Sequence, residues 1–244
     1  MLISEIKEIF KSSDQVYGRP RITEELKRNG RRVGENRVAR LMKKAEIRPI
    51  TLKKWKTRTT DSRHNFRLSR DLLQRDFHAD RPDQKWVSDI TYIRTYRGWL
   101  YLCVIVDLYS RKIVGWSLRP HMKASLVSEA FRMAVGVRDV EPRKLIFHSD
   151  RGSQYASREF RKLLSKYKVR QSMGRKGDCY DNACAESVFG IIKRELIYNR
   201  RFENEVDTRR ELFKYIEGFY NRRRLHSYLG YMSPEEFEST REAA

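Results

Sequence analysis

Three acidic residues stand where surface charge does not ordinarily sit. Asp89 falls inside the alternating stretch KWVSDITYIR, sharing a face with Val87, Thr91 and Ile93. Asp150 closes the apolar stretch KLIFHSD and precedes RGSQY, a glycine-containing turn. Glu186 lies in the first turns of a helix that begins near Asn182. Burying an ionised carboxylate is costly unless it is paired or holds a metal. Carboxylates brought together repel, and a divalent cation is the natural counter-charge; hard oxygen ligands favour Mg2+ or Mn2+ over zinc. A cluster of this kind can hold two ions, which activate a nucleophile and stabilise the leaving oxygen in phosphoryl transfer. Each acid alone has an ordinary reading too. Asp89 suits a cap or ion pair, Asp150 a turn, Glu186 a helix N-terminus, and Asp107 is a rival ligand on position alone.

The elements needed to bring these acids together are legible. KWVSDITYIR, GWLYLCVIVDLYS and RKIVGWSLR read as three strands joined by short hairpin connections. The second is a near-continuous apolar run that suits a strand buried on both faces. SLVSEAFRMAVG reads as a helix, KLIFHSD as a buried strand, SREFRKLLSKY as a helix and KVRQSM as a fifth strand. From Asn182 the chain reads as helical, in NACAESVFGIIKRELIYN, VDTRRELFKYIEGFYNRRR and a short helix after Pro234. This order predicts an α/β fold: an RNase H-like mixed five-stranded sheet with flanking helices. In it the first and fourth strands are neighbours, so Asp89 and Asp150 converge.

Residues 1–58 form a separate expectation: a small helical, helix-turn-helix-like DNA-binding domain. LISEIKEIF carries a helical apolar stripe, and PRITEELKRNG ends in a helix-stopping Asn-Gly. A third helix starts near Glu35 and ends before Pro49. Its apolar face is Val38, Leu41, Met42 and Ala45, while Arg37, Arg40, Lys43 and Lys44 occupy the others. That basic helix suits a major groove, or is a solvated face of a packing module. Residues 59–79 read as a linker and 80–241 as the catalytic core with C-terminal helices.

The 244 residues carry a formal charge of +21, far more than solubility requires, which implies a polyanionic partner. The longest apolar run, Leu100–Val106, is much too short to span a bilayer, so nucleic acid is favoured over membrane. Three cysteines argue against a disulfide framework and suit a reducing cytoplasm. Cys103 reads as core, while Cys179 and Cys184 lack partners for a zinc site.

Thirty-five residues separate Asp150 from Glu186, and sixty separate Asp89 from Asp150. Here, in WVSDITYI, HSDRGSQYAS, SMGRKGDCYDNACAESVFGIIKREL and YNRRRLHSYLGYMSPEEF, the chain resembles the retroviral-integrase-like transposases. More narrowly, it resembles the second reading-frame product (OrfB) of the bacterial family named for insertion sequence three. YGRPRITEELKRNGRRVGENRVARLMKK resembles the helix-turn-helix-like segment that precedes that core. The resemblance implies a magnesium-dependent transposase that cuts an element's 3′ end and joins the freed 3′-hydroxyl to target DNA. It implies Asp89, Asp150 and Glu186 as catalytic metal ligands and Lys193, two helical turns after the glutamate, as a phosphate contact. It also implies a cytoplasmic bacterial protein, assembly of several copies on DNA and an upstream-frame (OrfA-type) partner product.

The chain departs from the family at Gly174, where serine is commoner, and at Asp178, where asparagine is. Neither position touches the triad. Tyr180, Asn182 and Arg175 surround the glutamate as candidate DNA contacts, with helix capping the alternative for Asn182. The run NRRRLH reads equally as a phosphate-binding stretch or a charged helix face, and His148 as a strand-end hydrogen-bonding residue rather than a base. Two rival functions remain: an inactive helix-turn-helix DNA-binding protein, and an RNase H-type metal nuclease that cleaves without joining.

Overall fold

The computed structural model describes residues 1–49, 66, 68–175 and 183–242. Three helices come first: α1 (Leu2–Ser12), α2 (Arg19–Arg28) and α3 (Glu35–Lys44). Pro20 sits in the first turn of α2, where its missing N–H removes no helical bond. The predicted stripe on α3 is the packed one: Val38 and Met42 are buried and Leu41 packs beside them. Arg37, Arg40, Lys43 and Lys44 are exposed.

The sheet begins with a long hairpin, β1 (Lys85–Thr95) and β2 (Gly98–Asp107). Gly98, at φ +121°, makes the tight reversal, and pairing runs unbroken from Thr95↔Gly98 to Trp86↔Asp107. β3 (Ile113–Arg119) completes the antiparallel set; α4 (Ala124–Val137) crosses to β4 (Ile146–Ser149). Short α5 (Ser153–Ala156) and α6 (Arg158–Lys166) lead to β5 (Arg170–Met173). The sheet order is β3-β2-β1-β4-β5, with β4 parallel to both neighbours. This is the mixed five-stranded sheet that the sequence predicts.

Alternation in β1 divides the core in two. Trp86 and Ile90 join Cys103, Ile105 and the inner faces of α4 and α6. Gly115 permits this close packing, since a Cβ there would stand 2.3 Å from the Ala130 carbonyl oxygen. Val87 and Ile93 face the other way, with Leu102 and Val104, onto α7 (Ala183–Glu195) and the helical stretch beyond it. That stretch is less regular than predicted. A 3-10 turn (Ile197–Asn199) follows α7, and α8 (Glu205–Phe213) widens into a π-helix over Lys214–Tyr220 before α9 (Pro234–Glu242).

The described part of the predicted linker is not a free tether, and it contains no helix from residue 68 on. The Leu72 N–H donates to Ser172 Oγ at 2.8 Å and Ser69 Oγ donates to Gln171 Oε1 at 2.9 Å, so this segment lies along β5. The N-terminal helices are joined to the chain's far end. The Tyr17 hydroxyl donates to the Arg223 carbonyl (3.1 Å) and accepts from the Leu225 N–H (2.8 Å), while Arg21 Nε donates to the Leu225 carbonyl (2.8 Å). Beneath this joint Arg224 is almost completely buried and grips Glu195 with two bonds, of 2.8 and 2.6 Å.

That pairing corrects both readings of NRRRLH at Arg224, while Arg222 and Arg223 of the run are exposed. Arg224 is neither a phosphate contact nor part of a solvated face, because an internal carboxylate claims it. The Asn221 side chain likewise bonds the Ile113 backbone. Asp107 is corrected as well. It is fully buried, accepts from the Asp83 and Tyr109 N–H groups, and pairs with Arg138 at 3.2 Å. Arg138 also holds Asp83 and Glu238, so Asp107 belongs to a structural ion network.

Candidate active site

Asp89 and Asp150 are brought together by strand register. β1 and β4 pair as Lys85↔Ile146, Trp86↔Phe147 and Val87↔His148; two residues further on, the same register sets Asp89 beside Asp150. Adjacent strands lie about 4.8 Å apart, so the two carboxylates emerge side by side. Each is oriented by local backbone: the Ile90 N–H donates to Asp89 Oδ1 at 2.7 Å and the Gly152 N–H to Asp150 Oδ1 at 2.9 Å. A Cβ at Gly152 would stand 3.0 Å from Asp150 Oδ1 and 2.8 Å from Gln154 Oε1, so a larger residue there would have to displace these side-chain oxygens.

Glu186 arrives from above. It is exposed in the first turn of α7, the helix that packs on the Asp89 face of the sheet. Lys193, two turns along, is half-buried with its Nζ 6.0 Å from the Tyr92 ring centre.

The electrostatics tie the four together. Asp89 is pushed up to about 8, first by burial, then by the neighbouring Asp150 charge and by Glu186; the Ile90 N–H and Lys193 oppose the rise. It nonetheless keeps partial exposure, as expected of a group at the floor of a cleft. The Lys193 ammonium is lowered by burial and held up by Asp89 and Glu186. No three His, Cys, Asp or Glu side chains among the described residues stand close enough to ligate one ion as they sit. What the acids share is an unbalanced negative field around a carboxyl that pairing with a cation would ionise. Three carboxylate donors suit a hard divalent ion better than zinc, whose protein sites usually include nitrogen or sulfur ligands.

Comparison with known proteins agrees with this fold. An integrase core domain family matches residues 79–179, a second integrase core domain family matches 167–234, and an HTH-like domain family matches 1–55. Transposase InsF of insertion sequence IS3A, from Escherichia coli strain K12, is 43% identical over 94% of this chain and 79% of its own length. The chain belongs to the IS3-family transposases. A 31 kDa protein of insertion element IS600 from Shigella sonnei is 41% identical over 96% of this chain and 85% of that one. Among solved structures, the HTLV-2 integrase catalytic core domain in complex with magnesium shares the fold at 18% identity. Its dimeric and trimeric forms give TM-scores of 0.50 and 0.51, each over 66% of this chain and 99% of that one.

In this transposase the predicted residues therefore fall into groups. Asp89, Asp150, Glu186 and Lys193 form one neighbourhood. Arg175 is exposed just beyond β5, whose line Gly174 extends by donating its N–H to the Ser149 carbonyl at 3.0 Å. Arg37, Arg40, Lys43 and Lys44 are on α3, in the N-terminal helices. Asp178, Cys179, Tyr180, Asp181 and Asn182 lie outside the described residues. His148 is a buried hydrogen-bonding residue as predicted, its Nδ1 2.8 Å from Ser172 Oγ. Cys103 is core, and Cys184 receives a bond from Arg111 Nη1 at 3.0 Å.

Sequence reasoning missed Tyr92 and Trp99, whose rings meet at 5.1 Å and 80° beside Lys193. The available signal was a tryptophan opening a strand directly opposite an arginine, Arg94↔Trp99.

Proposed function

We propose that this transposase cleaves DNA at its element's 3′ ends and joins the freed 3′-hydroxyl to a second phosphodiester. Asp89, Asp150 and Glu186 would hold Mg2+ or Mn2+, as two ions. The carrying observation is the shared field of the three acids around Asp89, with Lys193 at its edge, in a chain of this family. When bound, the metal supplies charge neutralisation at the phosphodiester and a lowered barrier to deprotonating the attacking oxygen.

The chain's own residues do the rest. The Ile90 and Gly152 N–H groups fix one oxygen of each aspartate. Lys193 presents an ammonium, partly desolvated on the Tyr92 ring, to a non-reacting phosphate, which sets the scissile bond against the carboxylates. Glu186, on the exposed first turn of α7, would supply the third carboxylate. Arg37, Arg40, Lys43 and Lys44 on α3 are assigned to duplex contact, and Arg175 and Asn182 to DNA near the glutamate. The working form is several copies on element ends and target, in the bacterial cytoplasm, with an upstream-frame product as partner.

The test is joining of labelled 3′-hydroxyl ends to a target duplex in Mg2+, with and without the upstream-frame product. Cleavage without joining in both arms would favour a nuclease, and neither reaction in either arm an inactive DNA-binding protein.

A second measurement probes the metal without catalysis. The folded pKa of Asp89, about 8, lies above its ordinary value, so the folded chain binds the extra proton. Stability from this group is therefore lost as pH rises through the window between the two. Asp89→Asn removes that loss and is expected to raise the metal-free Tm near neutral pH by about 2–4 °C, on the order of 1 kcal/mol. Mg2+ is expected to raise Tm in the parent and not in the variant. Equal Mg2+ shifts in both proteins would remove Asp89 from the metal site.

A further inference from the structure

Beyond the Lys193–Tyr92 contact used above lies a patch, Trp99 and Arg94, to which those steps give no part. Tyr92 lies three residues beyond Asp89 on β1, about 10 Å along the strand. Its ring meets that of Trp99 edge-on, with centres 5.1 Å apart at 80°. Arg94 lies over Trp99, its guanidinium carbon 6.0 Å from the ring centre, and Lys193 Nζ stands 6.0 Å from the Tyr92 ring centre. Cation, ring, ring and cation thus form one series of contacts that begins at Lys193. A tryptophan serving only the core would be buried, yet Trp99 is 50% exposed. On its far side Trp99 borders an open recess of about 590 Å³. Three acids line it: Glu203, and Glu205 and Asp207, which are paired with Arg209 and Arg210 at 2.8 and 2.7 Å.

We propose that Tyr92 and Trp99, flanked by Arg94 and Lys193, form a stacking platform for unpaired DNA bases next to the site of strand cleavage. Resting on the function proposed above, this adds a ligand class to that site: single-stranded nucleotides at a DNA end. Alternating cations and rings match a strand that offers phosphates and flat base faces by turns. A base pair inside a duplex keeps its faces stacked on its neighbours and gives the rings nothing to hold. The 10 Å from Asp89 spans roughly three nucleotides at about 3.4 Å each, so the platform meets bases close to the reacting phosphodiester. A protein partner is the weaker reading, because two cations bracket a patch only two rings wide in a chain of charge +21.

The test is binding by the full chain in EDTA, followed by fluorescence anisotropy, of a duplex ending in short unpaired oligothymidine tails and of the same duplex blunt-ended. Trp99→Ala is expected to weaken binding of the tailed duplex by about 5–30-fold, the effect of losing one base–aromatic stack. Blunt binding should change by less than about twofold, because phosphate contacts supply it. Trp99→Phe, which keeps a ring, should restore most of the loss. Unchanged tailed binding in Trp99→Ala, or equal loss for both duplexes, overturns the platform. So does a fall in the mass of DNA-free assemblies with tailed binding intact, which would make the patch a protein interface. Because the assay contains no metal, failure of strand joining leaves this result standing, and loss of the platform leaves the carboxylate assignment untouched.

Discussion

Glu186→Gln is expected to reduce Mg2+-dependent cleavage and joining by roughly 10³-fold or more, about 4 kcal/mol at 1.36 kcal/mol per decade. The substitution keeps the shape of the side chain and removes its charge. Glutamine offers an ion a neutral carbonyl where the site has been built to concentrate negative charge around Asp89. Competing effects are small. Glu186 is exposed, so the fold should shift by no more than about 0.5 kcal/mol. Loss of an acid from the first turn of α7 costs a further ~0.3–1 kcal/mol at most through the helix dipole. DNA affinity should hold within a few-fold, because the arginines and lysines that supply it are unchanged. The measurement is strand transfer beside a binding isotherm on the same DNA; a variant that still joins ends would remove Glu186 from the active centre.

Arg224→Met carries the largest expected effect on stability. Arg224 and Glu195 form a two-bond pair that is almost wholly buried, and Tyr215 adds a bond to the same carboxylate at 2.8 Å. Removing one member of a buried pair typically costs ~3–5 kcal/mol, since the other charge is stranded. The lower end, about 3 kcal/mol, is expected here because Arg21 stays 4.0 Å from Glu195 as a partial substitute. Glu195→Leu added to Arg224→Met should recover most of the loss, since an apolar pair of similar volume removes the stranded carboxylate. Urea unfolding of the two variants beside the parent decides it. A double variant no more stable than the single one would show that packing around the guanidinium, rather than charge, is what Arg224 supplies.

Much of this was legible because local rules and the global fold agree. Period-two alternation placed Asp89 with Val87 and Ile93, and that face is the one α7 covers. Spacing singled out Asp150 and Glu186 from their neighbours. Asp107 shows what position alone misses: its partners include Asp83 and Arg138, far apart in sequence, and Arg138 in turn holds Glu238. Arg224 misled for the same reason, since a run of arginines looks like surface and its partner lies 29 residues away. The widened turns of Lys214–Tyr220 have no signature in a pattern read at 3.6 residues per turn. By strand alternation Tyr92, three residues after Asp89, starts on the opposite face, and Lys193 nonetheless stands 6.0 Å from its ring centre. Strand parity says which way a side chain starts, and not how far a neighbour's long side chain extends.

The joint between the N-terminal helices and the chain's far end constrains how such proteins can diversify. Tyr17, Arg21 and Arg28 find their partners on Arg223, Leu225, Tyr231 and Glu236. An exchange of the first fifty or so residues between relatives would part each of these from the surface it was selected against, leaving backbone groups of Arg223 and Leu225 without their bonds. Inheritance should therefore treat the two ends as a single cassette, with drift at one recorded as compensating drift at the other, even though the whole catalytic sheet is threaded between them.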